Sequence, residues 1–494
     1  MKRSWQRLLV AGLLLSVLSL GTVNSVSSAV DQPEGHVQLR TTAPSGDLST
    51  TFPFCSWWVQ TSTTSTNMAF PDINAAYWTM PFSLDGGDIR ITGDYINARY
   101  FSVQVYNQQG QLSDGSTSLA DYLIEPSNGF SNPWSTGIYP AETPQAFQIT
   151  VSSSSNGVEG SNVLSMPDTG TIGLIMLRVY VPDSLPFPEN IFGASNTPAQ
   201  TIPDAFALIS GHLPLVTVAS TSGDVDLPTC SSTQGAQLTN RSTRESVDSS
   251  LDLLVPGIAG AKSHAAAGPR RQGSTTPRFK FFRTASSTTP FPNGNSAYAA
   301  AVYKVFPGEA VIVRAELPST PWNSPGTTWQ GSNPVPWPTN GDSSNYQLRY
   351  LSFCSYLDKP PYPVVSVQDG CATDTQIRTA MNGDSAAIAI VTRPSERPTV
   401  QEVGSDFIWL PAAISKADQV FAIRNMLPST SFKESVTNVT PPEEGSVDPT
   451  LTKSVMGQYY PTAYRCDLDV LKKVGPINCR KKLGSVSRSF TVRN

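Results

Sequence analysis

Histidine is scarce in this chain, which has three histidines among 494 residues. His36 lies in a predicted leader, His264 in a predicted linker and His212 at the start of a predicted strand. A Ser-His-Asp or Cys-His catalytic centre would have to use His212 as its base. The G-x-S-x-G and H-E-x-x-H motifs are absent as well, which excludes the serine-hydrolase elbow and the zinc-protease helix. We predict no metal site and no cofactor.

Charged residues are also few. Only 15% of the residues are charged, whereas the chain has 41 prolines and 35 glycines. Proline and glycine interrupt helices, and long helical stretches are correspondingly rare. Short apolar segments joined by turn-rich loops are typical of all-β exported proteins. The length predicts two or three domains.

The only long apolar run lies near the N-terminus and predicts a signal peptide. It extends from Leu8 to Leu20 after a basic start, and Ser27-Ser28-Ala29 offers small residues for cleavage. A membrane-spanning helix needs about 20 apolar residues, so this run is too short. No cysteine follows it, which argues against a lipoprotein. We therefore predict a soluble mature chain without a transmembrane segment, secreted or periplasmic/extracellular.

The predicted mature chain is acidic. Removing Lys2, Arg3 and Arg7 from the 34 basic residues leaves 31 against 38 acidic residues, so the formal charge moves from −4 to −7. The positive charge is concentrated in two stretches, from Lys262 to Arg283 and from Lys472 to Arg493. Because the globular parts are acidic, we predict no nucleic-acid partner.

One strand pattern occurs twice. Arg99–Tyr106 and Arg349–Tyr356 both read R-Y-x-S-x-x-x-Y. Side chains alternate along a strand, so Tyr100, Ser102, Gln104 and Tyr106 share a polar face opposite an apolar face suited to a core. The landmarks around both copies follow the same order. We therefore predict an all-β fold with two tandem β-sandwich, jelly-roll-like domains that arose by internal duplication.

The repeat also predicts which strands correspond. Val311–Arg314 matches the strand that begins at Ile89. We further align Ala386–Pro394 with the stretch ending at Pro182, and Trp409–Pro411 with His212–Pro214.

The predicted domain boundaries follow from these landmarks and from changes in composition. They are residues 1–29 for the signal peptide, 30–50 for an extended leader, 51–230 for the first sandwich, 231–294 for a flexible linker, 295–415 for the second sandwich, and 416–494 for a small irregular and helical extension packed on the second sandwich.

Six cysteines indicate an oxidising compartment. Six cysteines permit 15 pairings. From proximity in the sequence we predict Cys55–Cys230, Cys354–Cys371 and Cys466–Cys479.

The second domain has a long insertion before its copy of the repeated strand. Asp88 precedes Arg99 by 11 positions, whereas Glu309 precedes Arg349 by 40, so the insertion adds about 29 residues, roughly Leu317–Tyr346. It contains three tryptophans, Trp322, Trp329 and Trp337, separated by prolines. Two readings stay open. The loop stacks on sugar rings or captures an extended partner, or it folds back on its own sandwich.

The repeated arginine and tyrosine also allow two interpretations. Arg99, Tyr100, Arg349 and Tyr350 could anchor an anionic or sugar ligand. Alternatively, each arginine binds a loop carbonyl or carboxylate and each tyrosine packs with its hydroxyl bonded. The occurrence of the motif in both domains favours the second interpretation. We keep the four residues, with the three tryptophans, as candidate ligand-binding residues.

Carboxylates in turns are the remaining candidates for chemistry. A glycosidase needs two of them about 5–10 Å apart. The candidates with glycine neighbours or turn contexts are Asp85, Asp88, Asp94, Asp342 and Asp384. Turn formation explains each of them. Asp85 and Asp88 could also contribute to a calcium site, but the EF-hand spacing is missing. Gly383-Asp384-Ser385 fits a turn better than an esterase nucleophile block.

Three segments together resemble a group of uncharacterised exported bacterial proteins: Leu348–Cys354, Phe421–Pro428 and Met456–Pro461. More distantly, Ile89–Tyr106 resembles strands of jelly-roll-like domains of unknown function. The resemblance implies an exported, β-rich protein and no particular activity.

These observations predict an exported, non-catalytic binding or envelope-associated protein. Its partner would be an extracellular glycan or a cell-envelope component, bound through the tryptophan- and proline-rich loop. The alternative is an extracellular polysaccharide hydrolase or lyase that uses loop carboxylates.

Overall fold

The fold was analysed in a computed structural model. It describes residues 55–62, 67, 70–84, 87–96, 98–107, 110–112, 117–136, 145–153, 158, 160–166, 173–182, 209–220, 223–230, 279–284, 291–321, 337–359, 362–414, 418–441 and 447–479. The predicted signal peptide and leader, and most of the predicted linker, lie outside these residues. We call residues 55–230 the first half and residues 279–479 the second half.

The first half consists mainly of strands. They are β1 (Val59–Ser62), β2 (Ala75–Phe82), β3 (Asp88–Asp94), β4 (Ala98–Tyr106), β5 (Ser118–Ala120), β6 (Ala146–Ser153), β7 (Val163–Met166), β8 (Gly173–Pro182), β9 (Leu215–Ser220) and β10 (Gly223–Leu227). A 3₁₀ helix at Asp121–Leu123 and the short helix α1 (Pro133–Thr136) accompany them.

The second half also consists mainly of strands. Its strands are β11 (Phe282–Arg283), β12 (Ser296–Tyr303), β13 (Glu309–Glu316), β14 (Leu348–Leu357), β15 (Cys371–Thr373), β16 (Ala386–Thr392), β17 (Ile408–Pro411), β18 (Gln419–Pro428) and β19 (Thr462–Asp467). Its helices are α2 (Asp374–Ala380), α3 (Val400–Val403), α4 (Pro449–Met456) and α5 (Leu468–Asn478), with 3₁₀ helices at Pro394–Glu396, Val436–Asn438 and Gly457–Tyr459. The predicted all-β fold is confirmed.

The described strands form two sheets in each half, with matching strand orders. One sheet reads β1-β2-β8-β4-β5 in the first half and β11-β12-β18-β14-β15 in the second. The other reads β10-β9-β3-β6-β7 in the first half and β19-β13-β16-β17 in the second. Even the rare parallel pairs match, since β6 pairs with β7 and β16 with β17 in parallel. The two halves therefore share one topology, whereas their origin by duplication stays a prediction.

Two of the predicted correspondences were wrong. By position in the sheets, the Ala386 strand β16 corresponds to β6, and β18 corresponds to the apolar strand β8. Trp409 lies in β17, which corresponds to β7, whereas the Leu213-Pro214 pair precedes β9. Buried strands are apolar on both faces, so an apolar run identifies burial but not its place in the sheet.

The boundary predicted at residue 415 also differs from the topology. β18 is the central strand of its sheet, and β19 pairs with β13 in the other sheet. Residues 419–467 thus belong to the second half itself. In the described part of the chain, helix α5, which has a kink at Gly475 (φ 72°), follows the last strand.

Each half has a core between its two sheets. In the first half the core includes Phe101, Val103 and Val105, the apolar face of β4. In the second half it includes Leu351 and Phe353 of β14. We call the sheets that contain β4 and β14 the inner sheets, because they contact each other, and the other two the outer sheets.

The six cysteines form three disulfides. They are Cys55–Cys230, Cys354–Cys371 between the paired strands β14 and β15, and Cys466–Cys479 across helix α5. Among the described residues, no helix has the length and hydropathy that crossing a bilayer requires.

Candidate functional site

The polar faces of the two R-Y-x-S strands are buried. Every residue of β4 is buried, including Tyr100, Ser102 and Gln104. In β14, Arg349 and Tyr350 are fully buried as well. Each polar face is buried against the opposite half. The rings of Tyr180 and Tyr350, for example, lie 5.7 Å apart across this contact. The repeated motif therefore builds the contact between the two halves.

Each arginine of the motif binds a carboxylate of the other half. Arg349 donates to both carboxylate oxygens of Asp121, at 2.6 and 3.0 Å. Arg99 donates to Asp374 at 3.0 Å. The arginines also exchange backbone contacts, because each guanidinium donates to the other's carbonyl oxygen, at 2.8 and 3.2 Å. All four side chains are at most 2% exposed.

The two carboxylates occupy equivalent places, immediately after β5 and β15. Asp121 begins a 3₁₀ helix and also accepts the backbone N–H of Phe101 (2.8 Å) and of Tyr122 (2.6 Å). Asp374 begins α2, after the N-cap Thr373. Loss of hydration raises the pKa of Asp121, and the neighbouring Arg349 only partly offsets this effect. The carboxylate stays buried because all its donors are supplied by the fold.

A second repeated motif, which the sequence reasoning missed, completes this contact. Phe70-Pro71-Asp72-Ile73-Asn74 precedes β2, and Phe291-Pro292-Asn293-Gly294-Asn295 precedes β12. Both phenylalanines have a left-handed backbone, with φ of 56° and 52°. The shared pattern F-P-[DN]-x-N was visible in the sequence and could have been found by aligning the residues before β2 and β12.

Both motifs reach into the opposite half. The backbone N–H of Phe70 donates to Tyr362 (3.1 Å), and the two rings are stacked at 4.7 Å. The backbone N–H of Phe291 donates to Gly110 (3.1 Å), and Arg178 donates to the Phe291 carbonyl oxygen (2.6 Å). The connection is thus reciprocal, as it is for the arginines.

Asp72 is the charged centre of one of these motifs. It is fully buried, and one of its oxygens accepts from Tyr350 (2.9 Å), Ser352 (2.7 Å) and Arg424 (2.8 Å) of the other half. Burial raises the pKa of Tyr350, so its hydroxyl stays a donor. The equivalent position in the second half holds the neutral Asn293.

Asn293 binds the first half with neutral partners. It accepts from Tyr100 (3.3 Å) and Gln104 (2.8 Å). The candidate residues Arg99, Tyr100, Arg349 and Tyr350 are thus buried and bonded to protein groups. They leave no exposed surface for a ligand at this contact.

Trp337, the last tryptophan of the insertion, is a buried anchor. It is fully buried and belongs to the core cluster of the first half. Its backbone N–H donates to the carbonyl oxygen of Trp134 in α1 (2.7 Å). The Arg349 guanidinium lies 5.2 Å from the Trp134 ring centre. Trp322 and Trp329 lie outside the described residues.

Hydrogen bonds hold both ends of the insertion. At its start, Arg378 donates to the carbonyl oxygen of Pro318 (2.7 Å). Ser319 and Gln347 join the two ends, since the Ser319 N–H donates to the Gln347 side chain at 2.8 Å. Gln347 in turn donates to the Tyr459 hydroxyl (2.9 Å). The two ends of the insertion are therefore held next to each other on the second half.

A small pocket, with room for about one water molecule, lies beside the two ends of the insertion. Its apolar walls include Leu351, Phe353 and Ile423. Glu316, Glu434 and Tyr459 also line it. It combines an apolar floor with two carboxylates.

Asp342 fixes the returning end of the insertion, and its effect should depend on pH. Its carboxylate accepts from the Ser429 hydroxyl (2.8 Å) and the Ser431 N–H (3.2 Å). Hydrogen bonds from Ser431 and Ser429 lower its pKa.

An acid whose pKa is lowered on folding contributes stability above its unfolded pKa, which is near 4. This contribution is lost as the pH falls through the folded-state pKa. We expect Asp342→Ala to lower Tm at pH 7 and the difference from wild type to narrow at pH 3, by thermal scans. A constant difference across this range would contradict this role.

The other described turn carboxylates have different surroundings. Asp88 accepts from Ser152 (2.7 Å), and Asp384 accepts the Ala386 N–H (3.3 Å). Burial raises the pKa of Asp94, at the opposite end of β3 from Asp88. Asp85 lies outside the described residues.

The described residues include one group of possible metal ligands and the histidine His212. The one ligand-like group there is Asp72 with Cys354 and Cys371. Both sulfurs form a disulfide, so no thiolate is available. His212 is exposed, in a turn before β9, where its N–H donates to Ile209 (2.9 Å).

No protein-family model matches the chain, and no curated protein matches its sequence. Among solved structures it is similar to an uncharacterised protein from Burkholderia cenocepacia, with 11% identity and a TM-score of 0.42 over 85% of this chain and 84% of that one. It is also similar to the VPA0106 protein from Vibrio parahaemolyticus, with 8% identity and a TM-score of 0.36 over 80% and 89% of the two chains. These structural neighbours are bacterial proteins at low identity.

Proposed function

We propose that this is an exported, non-catalytic binding protein that presents the insertion Leu317–Tyr346 to an extracellular glycan or a cell-envelope component. The observation that carries the proposal is the anchoring of the insertion. Trp337 is buried in the core of the first half, while Ser319 and Gln347 are bonded to each other in the second. A loop held on a rigid scaffold is a common place for binding.

The use of the charged residues supports a non-catalytic role. Asp72, Asp121 and Asp374 are buried and bound to arginines of the opposite half. Groups committed in this way are not available to a substrate. Three disulfides support an oxidising compartment, in agreement with secretion or a periplasmic or extracellular location.

Binding is tested with Trp322 and Trp329, the other two tryptophans of the insertion. Tryptophans stack on sugar rings through their apolar faces. We expect soluble envelope glycans to shift the tryptophan fluorescence of the wild type, and the double variant Trp322→Ala/Trp329→Ala to lose most of that shift. Deleting residues 322–336 should reduce retention at the cell surface.

Trp409 provides the matched control. It is half-buried, and its ring lies 4.4 Å from the Arg397 guanidinium. Trp409→Ala should leave the glycan titration unchanged. The proposal is wrong if glycans cause no shift and deletion of the insertion leaves surface retention unaltered.

The alternative of a polysaccharide hydrolase or lyase depends on a pair of carboxylates. Glu316 and Glu434 line one pocket beside the insertion, and two carboxylates are the machinery of glycoside cleavage. Depolymerisation of a soluble polysaccharide, lost in both Glu316→Gln and Glu434→Gln, would favour this alternative. Glycan binding without depolymerisation would favour the binding protein.

A further inference from the structure

Asn293 occupies the place that Asp72 has in the first half, and its side chain is bonded only as an acceptor. The amide oxygen accepts from Tyr100 (3.3 Å), from Gln104 (2.8 Å) and from the backbone N–H of Asn295 (3.0 Å). The amide nitrogen is buried and has no hydrogen-bond partner in the described part of the chain. A buried donor without a partner is destabilising. The surroundings of Asn293 therefore suit a side chain that only accepts, such as a carboxylate.

A buried serine of the same contact also lacks an acceptor. Ser102 is fully buried, and its hydroxyl makes no hydrogen bond of ordinary geometry within the described chain. It is paired with Arg178 of β8. The equivalent Ser352 is paired with Arg424 of β18 and donates to the Asp72 carboxylate at 2.7 Å. By this equivalence, a carboxylate at position 293 would supply the acceptor that the Ser102 hydroxyl lacks.

The buried charge of Arg178 has no carboxylate beside it. Its guanidinium bonds only neutral groups among the described residues, including the Gln104 side chain (3.1 Å) and the Phe291 carbonyl oxygen (2.6 Å). The equivalent Arg424, in contrast, donates to a carboxylate at 2.8 Å. Gln104 contacts both Arg178 and Asn293. A negative charge at position 293 would therefore lie one side chain away from a buried cation that has no ion-pair partner.

Asn293 is followed by Gly294, and this pair of residues can produce the carboxylate without an enzyme. Glycine lacks a Cβ, so its backbone nitrogen is the least hindered in attacking the preceding side chain. Gly294 is exposed to water, and its N–H donates to no group in the described chain. In the first half, Asp72 is followed instead by the branched Ile73. The second half thus combines a site that suits a carboxylate with a residue pair that can form one.

We propose that Asn293 is a self-modification site, which converts to aspartate in the folded protein. The Gly294 nitrogen attacks the side-chain carbonyl carbon of Asn293 and passes its proton to the amide nitrogen, which leaves as ammonia. Water then adds to the same carbon and breaks its bond to the Gly294 nitrogen. This step produces the side-chain carboxylate and restores the backbone amide. In total, one water is consumed and one ammonia is released. The second half then presents a buried carboxylate to the first, as the first half does with Asp72.

Peptide mass spectrometry of the full, disulfide-bonded chain tests this conversion. After incubation at mildly alkaline pH, the peptide that contains Asn293 should be about 1 Da heavier in most molecules. Aspartate should be the main product, because isoaspartate would lengthen the backbone immediately before β12. Gly294→Ala should slow the conversion about tenfold or more, because the added Cβ hinders the attack.

Asn382-Gly383 provides the matched control for the chemistry. Asn382 is exposed in a turn, so it should react to a mixture of aspartate and isoaspartate, at a rate that Gly294→Ala leaves unchanged. Asparagine that persists at position 293 after Asn382 has reacted would overturn the proposal. Isoaspartate as the main product at position 293 would overturn it as well. The time course of the wild type decides both points even if Gly294→Ala fails to fold.

Thermal unfolding distinguishes a structural modification from chemical ageing. Asn293→Asp installs the product directly and should raise Tm above that of the chain with unreacted Asn293. Adding Ser102→Ala should remove part of this gain, because it deletes one donor to the carboxylate. Asn382→Asp should leave Tm unchanged. A lower Tm for Asn293→Asp than for the unreacted chain would overturn the proposal.

Discussion

Replacing Arg349 by alanine should lower the free energy of unfolding by about 3–5 kcal/mol, the usual cost of breaking a buried ion pair on one side. Asp121 would keep its burial and lose both hydrogen bonds from the guanidinium. The carbonyl oxygen of Arg99 would lose its donor as well. Equilibrium denaturation in urea, followed by tryptophan fluorescence and circular dichroism, measures the loss.

The surface pair of Arg90 and Asp224 is the matched control. Its bond is 2.8 Å long, close to the 2.6 Å of the buried pair, but its side chains are 36% and 50% exposed. Arg90→Ala should therefore cost less than about 1 kcal/mol. Arg349→Met combined with Asp121→Leu should recover most of the loss, because apolar groups can replace a buried pair. Similar losses for Arg349→Ala and Arg90→Ala would show that the buried pair does not hold the halves together.

The loss of stability in Arg349→Ala should also depend on pH. Burial already raises the pKa of Asp121, and removing Arg349 should raise it further. An acid whose pKa is raised on folding contributes stability below its unfolded pKa, which is near 4. This contribution is lost as the pH rises through the folded-state pKa. The deficit of Arg349→Ala relative to wild type should therefore be smaller at pH 4 than at pH 7. Parallel denaturation curves at the two pH values decide this.

The sequence reasoning succeeded where local rules are sufficient. Alternation in Arg99–Tyr106 separates a polar face from an apolar face, and the structure puts Phe101 in the core. The partner of the polar face could not be predicted in the same way. Arg349 and Asp121 are 228 positions apart, and nothing in a single strand indicates which distant carboxylate its arginine meets.

The insertion shows the same limit of prediction from sequence. Its length followed from comparing the two halves, because the spacing before Arg349 exceeds that before Arg99. The three tryptophans, however, look alike in sequence. Trp337 is distinguished by its packing against the first half and its bond to Trp134, and both depend on how the halves meet. The spacing of the repeated strands identified the segment, and tertiary structure identified its anchor.

Replacing Asp72 by alanine is expected to have the second of the two largest effects, again about 3–5 kcal/mol. The change would leave Arg424 buried without its carboxylate and remove the acceptor of the Tyr350 and Ser352 hydroxyls. The equivalent change Asn293→Ala removes only neutral partners and should cost less, about 1–3 kcal/mol. Urea denaturation of both variants measures the contrast. Equal losses would mean that the charge of Asp72 adds nothing to the contact.

Combining Asp72→Ala with Arg349→Ala tests whether the contact opens as one unit. Both residues bind across the same pair of inner sheets, so neither bond can form once the sheets separate. If the first substitution already separates the halves, the second should cost much less than it does alone. Losses at independent sites would instead add to within about 0.5 kcal/mol. A double-mutant cycle on free energies of unfolding therefore distinguishes a contact that breaks cooperatively from a set of independent bonds.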